Sequence, residues 1–512
     1  MSVKKRKNKK TLKFNNILIL LVLISSCFLI YHILLLGPIE PLIRYIFIGI
    51  IVLINFIFFI KKQKKTKKVA MLMMILFISI NIILCFSINK VYGIIDSINK
   101  SKIVYSSSLI TLKNSDIDSI DDVSDYKIGL IDDTLSVDNY IIAKEMIDEE
   151  KLENDNEFVS YDDLLVMLND LYNGKIDLMF VSSNYDVMFQ NAEGFENISN
   201  DVKVILEKDK TIKKETSTVS MLGNKTSNIK PFSVLLMGVD SEKDGLKKNA
   251  YANGDGLMLI TFNPQTLNVT MMSIPRDSYV PISCRDNKKN KLTHAGWFGT
   301  DCMIETIENV FDVDINYYVK VNFKGVVGMV DALGGVDVEV PANLCTDNSN
   351  RQGIICINKG WQTLNGEQAL VLARNRYDLK LGDIDRGYNQ QLLLKALINK
   401  MTEVRNVNTL LDLLETISNN LDTNLTTEEI LSFYNIFKDI LISREYQSSD
   451  DFINIIQIKL VGSNRKQYFS NLNSNLWIYE LDKDSIKNVS YEMKVNLGKE
   501  EPKMIKEFSF EP

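Results

Sequence analysis

At 512 residues and 46% hydrophobic side chains, the chain has room for about three folding units of roughly 150 residues each and for a sizeable core. Its formal charge of −6 is unevenly spread: residues 1–68 carry 14 basic side chains against the single acid Glu40, a net +13 that leaves −19 for the remainder. So acidic a remainder lacks the basic face that nucleic acid requires, which excludes nucleic acid as its partner. No C-x-x-C and no G-x-x-x-x-G-K-[ST] loop occur, so a zinc ribbon and a P-loop nucleotide enzyme are disfavoured too.

Three apolar runs open the chain, residues 17–36, 42–60 and 69–88, each long enough to cross a hydrocarbon core of about 30 Å. The first exceeds the ~7–15-residue apolar region of a cleavable signal peptide, and two more follow it, so it reads as an anchor. Lys4, Lys5, Arg6, Lys7, Lys9, Lys10 and Lys13 precede the first run, and residues 61–68 hold six lysines between the second and third. Short basic segments stay in the cytoplasm, so segments 1–16 and 61–68 are expected inside and everything after about Asn89 outside, on a plasma-membrane protein with three spans.

Residues 101–227 form an acidic stretch in which short apolar runs alternate with amphipathic ones. Residues 127–131 and 176–181 read as strands, residues 140–152 as a helix, and residues 164–172 as a second helix capped by Asp162 or Asp163 and closed by Gly174. The pattern predicts a small α/β domain, an accessory or interaction module. Residues 208–230 are polar and read as a linker, with the main domain running from Pro231 to about residue 500.

Residues 232–237 form an apolar strand that stops at Gly238-Val239-Asp240. A second begins after Asn253-Gly254-Asp255-Gly256, and a third, residues 269–274, ends in Pro275-Arg276-Asp277. Adjacent strands would bring Asp240, Asp255 and Arg276 to one rim, where open α/β sheets bind ligands. Two carboxylates with open positions suit Mg2+, which takes oxygen ligands and keeps water and substrate phosphate in its shell. Farther on, a helical pattern over residues 366–373 leads into Arg374-Asn375-Arg376. Asp383-Ile384-Asp385-Arg386 with Gln390 opens an apolar helix to about Met401, with Asp383 or Asp385 as its cap. Helix N-termini and arginine forks both bind phosphate. Cys284, Cys302, Cys345 and Cys356 fall outside the membrane, where disulfides persist. Three pairings are open, and the neighbours Cys284 with Cys302 and Cys345 with Cys356 are the expected ones.

These residues resemble the LytR-CpsA-Psr family over about residues 232–401. Leu235-Leu236-Met237-Gly238-Val239-Asp240 is similar to its opening strand, Ser273-Ile274-Pro275-Arg276-Asp277 to its most specific signature, and Lys291-Leu292-Thr293-His294-Ala295 to a later stretch. Gly334-Gly335-Val336, Leu364-Asn365-Gly366 and Arg374-x-Arg376 follow in family order. The resemblance implies an α-β-α layered domain with a central mixed sheet and an apolar tunnel for a polyprenyl chain. It also implies Mg2+ on Asp240 and Asp255, and a pyrophosphate held by Arg276, Arg374, Arg376, Arg386 and Gln390. The implied activity is transfer of an anionic glycopolymer, capsular or teichoic-acid-like, from polyprenyl pyrophosphate to peptidoglycan. Arg276, Arg374 and Arg376 would stabilise the transferring group and Asp383 would act as base. Three spans plus an accessory domain resemble the subgroup tied to capsule assembly, which adds wall-polymer assembly machinery as an expected partner. Asn253, Gly256, Asp385 and Asn389 depart from the family pattern. The rival expectations are a membrane-bound transcriptional attenuator, which the cytoplasmic segments are too short to support, and a non-catalytic protein that binds lipid-linked polymer.

Overall fold

The computed structural model describes residues 2–36, 41–61, 67–98, 102–134, 136–189, 192, 194–213, 230–239, 254–349, 353–404, 407–426, 429–430, 432–433, 453–469 and 474–502. The chain falls into two compact units, one holding residues 1–99 and the other residues 100–217, 231–424 and 451–512 among its parts.

The first unit is built on α1 (Ser2–Leu35), α2 (Pro41–Lys61) and α3 (Lys67–Ile98). Their membrane-compatible stretches are Asn16–Leu35, Leu42–Ile60 and Val69–Ile95. The third runs past the expected end at residue 88, because apolar side chains resume at helical spacing after Lys90. Its 27 residues would span about 40 Å, more than the hydrocarbon core, an excess that helix tilt and a snorkelling lysine accommodate. A polar knot ties the three helices: Asn81 Nδ2 donates to Ser25 and Ser26 Oγ at 3.1 and 3.2 Å, and Asn55 Nδ2 donates to Ser26 Oγ at 2.9 Å. Such bonds contribute only about 0.6 kcal/mol each in lipid, so their main effect here is to fix register.

The second unit begins with the accessory module: β1 (Lys102–Leu112), β2 (Lys127–Ile131), α4 (Ile142–Glu150), β3 (Glu157–Tyr161), α5 (Leu164–Tyr172), β4 (Leu178–Ser182), α6 (Tyr185–Phe189), α7 (Ile198–Asp201) and β5 (Val202–Lys213). They build a mixed sheet of order β3-β2-β4-β1-β5. Asp163 caps α5 by accepting from the Leu165 and Val166 amides, and Gly174, at φ +67°, lets the chain turn away. Residues 208–213, read from sequence as linker, belong to β5. Their polar side chains do not prevent the backbone from pairing with β1 in a register that runs to Lys102↔Lys213.

A π-helical turn, Val137–Ile141, precedes α4 and buries Asp138 completely. Burial pushes its carboxyl up to about 6, against opposing hydrogen bonds. A carboxyl raised in the fold favours folding when protonated, so this contribution is complete below the unfolded value near 4 and is lost as pH rises through about 6. Asp138→Asn cannot ionise, and its stability relative to wild type should therefore rise by about 3 kcal/mol between pH 4 and pH 7. Denaturant titrations of the two proteins at both pH values measure that difference, and equal slopes with pH would show Asp138 to be solvated.

The main domain continues through β6 (Phe232–Val239), β7 (Gly254–Asn263), β8 (Asn268–Ile274), the β9 (Tyr279–Ile282) and β10 (Lys288–Lys291) hairpin, α8 (Thr300–Phe311), β11 (Tyr317–Asn322) and α9 (Phe323–Ala332). Next come β12 (Val336–Val340), which pairs with β15 (Gly360–Leu364), and between them the hairpin of β13 (Leu344–Asp347) and β14 (Ile354–Ile357). The chain then forms α10 (Gly366–Arg374), α11 (Asp383–Glu403), α12 (Val407–Asn420), β16 (Leu421–Thr423), β17 (Asn454–Ile458), the β18 (Gly462–Phe469) and β19 (Ser474–Leu481) hairpin, and α13 (Lys483–Asn496). The central sheet has order β16-β11-β6-β7-β8-β17 and is mixed, since β6 runs parallel to β11 and antiparallel to β7.

The continuous apolar runs of these strands have a purpose on each face. Alternate side chains point to opposite sides. Leu235, Met237, Leu257 and Leu259 join the core under α8 and α13, whereas Val234, Leu236, Met258 and Ile260 line a cavity beneath the helices of the other layer.

Two disulfides brace the domain. Cys284–Cys302 joins the turn after β9 to α8, and Cys345–Cys356 crosses the β13–β14 hairpin. The accessory module packs against the main domain through β10 and the turns on either side of it. Lys288 pairs with Asp162 at 2.5 Å, Arg285 with Asp133 at 3.4 Å, and Trp297 enters the accessory core edge-on to Phe189.

Candidate functional site

A cavity of about 570 Å³ lies between the sheet and α9 to α12. Its depth is apolar, lined among others by Val319 and Val321 of β11, Met329 of α9, Leu393 and Leu397 of α11, and Leu413 of α12. Its polar lining gathers Arg276, Arg374, Arg376, Arg386, Gln390 and Tyr377, together with Thr346 and a single carboxylate, Asp347. Residues up to 114 positions apart thus share one wall, with cationic groups at the rim of an otherwise greasy chamber.

Each cation is held by local structure. Arg276 follows the end of β8; it is nine-tenths buried, and its carbonyl accepts from the Thr293 amide at 3.0 Å. Arg374 ends α10, where a cation is favoured by the helix dipole, and its guanidinium lies 4.3 Å over the ring of Phe323. Arg376 donates to the Tyr377 hydroxyl at 2.9 Å and also sits over that ring. This hydrogen bond, with the charges of Arg376, Arg276 and Arg386, lowers the Tyr377 phenol below its ordinary value, so three arginines act on one oxygen. The loop carrying Arg376 is pinned by Asn375, which donates to the Cys345 carbonyl and to Asp378, both at 2.7 Å; the Cys345–Cys356 hairpin therefore supports the arginine loop.

Arg386 lies in the first turn of α11 and pairs with Asp383 at 2.5 Å. Asp383 and Asp385 were expected to cap this helix. The N-cap is instead Gly382, at φ +55°, and both aspartates sit inside the first turn, where Asp385 accepts from the Leu381 amide at 2.9 Å. Asp383 is not among the residues lining the large cavity, so its place is behind Arg386, on a smaller pocket shared with Pro275 and Tyr388. Gln390 donates to the Ala373 carbonyl at 3.1 Å, and its amide occupies the space a side chain at 256 would need: a Cβ there would meet it at 3.0 Å. The departure at Gly256 is thereby accommodated. Asn389 is buried and faces away from the cavity, so this departure removes no cation from its lining.

Asp240 lies outside the described residues, and Asp255 is described only in its backbone. Gly254 pairs with Val239 and Gly256 with Gly238, so residue 255 sits in β7 beside the end of β6. Among the described residues no cluster of metal-binding side chains occurs.

Sequence reasoning did not single out Tyr377 or Phe323. Each stacks with a rim arginine, and the only signal was an aromatic residue next to Arg376.

Comparison with known proteins gives a consistent picture. Residues 194–495 match the model of the LytR_cpsA_psr family. The chain is 34% identical over 273 residues to the polyisoprenyl-teichoic acid–peptidoglycan teichoic acid transferase TagU of Bacillus licheniformis, covering 53% of this chain and 80% of that protein. It is 33% identical over 270 residues to the TagU of Bacillus subtilis, covering 52% and 79%. The crystal structure of B. subtilis TagV is similar at 30% identity with a TM-score of 0.43, covering 52% of this chain and 98% of that one.

Proposed function

Since this chain belongs to the LytR_cpsA_psr family, we propose that it transfers an anionic glycopolymer from a polyprenyl-pyrophosphate carrier to peptidoglycan at the outer face of the membrane. The observation that carries the reading is the apolar cavity with Arg276, Arg374, Arg376 and Arg386 in its lining. An isoprenoid chain needs a long greasy chamber, and a diphosphate at its head needs cations at the entrance. Two relatives are named as transferases of teichoic acid between a polyisoprenyl-linked form and peptidoglycan, which supports this reading. The two disulfides support an outward orientation, because such bonds persist in oxidising compartments.

In this mechanism the isoprenoid tail lies between the sheet and α9 to α12, which leaves the pyrophosphate among the arginines. An acceptor hydroxyl attacks the phosphorus nearer the glycan. The bond from that phosphorus to the oxygen bridging the two phosphates breaks, polyprenyl phosphate departs with the electron pair, and the hydroxyl proton passes to solvent. The product is a phosphodiester to the wall. Catalysis of this kind is chiefly positioning and charge stabilisation, which guanidinium forks supply. Asp383, paired with Arg386, is assigned to orienting that arginine in place of taking the proton. Asp240, which follows β6 in the sequence, and Asp255 of β7 would hold Mg2+, since carboxylates are the hard-oxygen donors this ion takes. The ion would supply further neutralisation of the diphosphate.

The test uses the full chain reconstituted in lipid vesicles with lipid-linked glycopolymer, wall fragments and Mg2+. Covalent attachment of polymer to the wall is expected, and a chelator in excess should reduce it to background. Absence of attachment by the wild-type chain would overturn the transferase reading. Full activity in chelator would remove the metal from it.

A further inference from the structure

A second cleft, of about 450 Å³, opens where the accessory module, the turn after β10 and the β18–β19 hairpin meet. It touches the large cavity at one residue, since Arg276 lines both. We propose that this cleft binds the acceptor, a stretch of the peptidoglycan glycan chain, and that the accessory module supplies one of its walls. The proposal rests on the transfer reading above and adds to it the place from which the acceptor hydroxyl arrives.

Several observations favour a sugar chain over other occupants. The walls combine aromatic rings with neutral hydrogen-bonding groups: Tyr172 and Asn169 come from the accessory module and Trp477 and Ser474 from the hairpin, with the buried Trp297 behind them in the turn. Flat rings with a few placed polar groups suit saccharides, whose ring faces carry C–H and whose edges carry hydroxyl and acetamido groups. Trp477 is 54% exposed, so much of its ring meets solvent, with Lys466 Nζ 5.2 Å from the ring centroid. The Thr293 hydroxyl lines the cleft, is buried, and has no hydrogen-bond partner among the described residues. Charge in the lining is confined to Arg276, Lys291 and Asp277, with Asp277 paired to Lys291 at 3.0 Å, and the other lining side chains are neutral. The volume lies within the ~300–1,000 Å³ of small-ligand clefts.

Position completes the case. Arg276 lines both cavities, so a sugar seated in this cleft would lie next to the head group that the transfer reading puts among the arginines. The wall from the accessory module is fixed by the Lys288–Asp162 and Arg285–Asp133 pairs and by Trp297 in the accessory core.

The test compares wild type with Trp477→Ala on the hairpin and Asn169→Trp on the accessory wall, all as full chains in lipid vesicles. A soluble, uncrosslinked glycan-chain oligosaccharide serves as acceptor and as the ligand in saturation-transfer NMR. Trp477→Ala should raise the acceptor KM about tenfold by loss of an aromatic anchor and Asn169→Trp by about as much by filling the cleft, with donor affinity within twofold of wild type in both. Wild type should show saturation transfer to the sugar and the variants should lose most of it. Unchanged acceptor KM in both variants would overturn the inference and leave the transferase reading standing. A wild type that binds the oligosaccharide but transfers nothing would overturn the transferase reading and support the cleft, and a wild type that binds no oligosaccharide would overturn the cleft alone. Thermal midpoints and donor binding identify a variant that has failed to fold, and the other variant then decides.

Discussion

Arg374→Ala should slow glycopolymer transfer about 10³-fold, by the magnitude typical of an arginine that stabilises a phosphoryl-transfer transition state. The guanidinium belongs to the cavity lining and rests on Phe323, so its position is fixed before substrate arrives. Fixed charge in a chamber with an apolar floor is worth more than the same charge in water, because nothing need reorganise as the leaving phosphate gains charge. Arg374→Lys should recover little, since an ammonium neither stacks flat on the Phe323 ring nor presents two parallel donors. Donor binding should weaken far less than the rate, because the remaining arginines still hold the ground-state diphosphate. Transfer rates at saturating donor make the comparison. A variant within tenfold of wild type would take Arg374 out of the mechanism.

That prediction was nearly available from the sequence, and the reason is physical. Arg276 and Arg374 sit at ends of elements whose apolar periodicity is strong, and such ends are where a sheet and its helices present side chains to a ligand. The strands themselves were legible because their inner and outer faces are both apolar. What could not be read was why. Leu235 and Leu236 look alike in sequence, yet one fills a core and the other lines a chamber, a distinction set by helices that begin only at Thr300 and beyond.

Other misreadings have similar causes. Residues 208–213 carry lysine, aspartate and threonine and resemble a linker, but β1 offers them an edge, and backbone pairing tolerates exposed polar side chains. Asp383 and Asp385 have the chemistry of caps and lost that place to Gly382, whose positive φ turns the chain into the helix. The cleft beside the accessory module was invisible, because its walls come from segments around residues 170, 294 and 477 that no periodicity links.

His294 gives the second large effect, and it concerns stability. The imidazole is buried, stacks on Trp297 at 3.9 Å, and its Nδ1 bonds Asn290 Oδ1 at 2.9 Å. That oxygen can only accept, so Nδ1 carries the proton and a neutral ring satisfies the network. Burial, then the charge of Lys291, pushes the ring down to about 3; Asp277 opposes this and Arg276 adds to it. A base depressed in the fold contributes stability above its unfolded value near 6.5, and that contribution is lost as pH falls toward about 3. Each pH unit in that window costs up to about 1.4 kcal/mol, so by pH 4.5 the loss should reach about 3 kcal/mol. The Asp138 effect has the opposite sign over part of the range, and absolute stability curves would blend the two. The difference between wild type and His294→Gln isolates the histidine, because glutamine keeps a hydrogen-bonding group and does not titrate. Relative to wild type the variant should gain about 3 kcal/mol between pH 7 and pH 4.5, read from denaturant midpoints. A flat difference across that range would mean that water reaches the ring and protonation there is free.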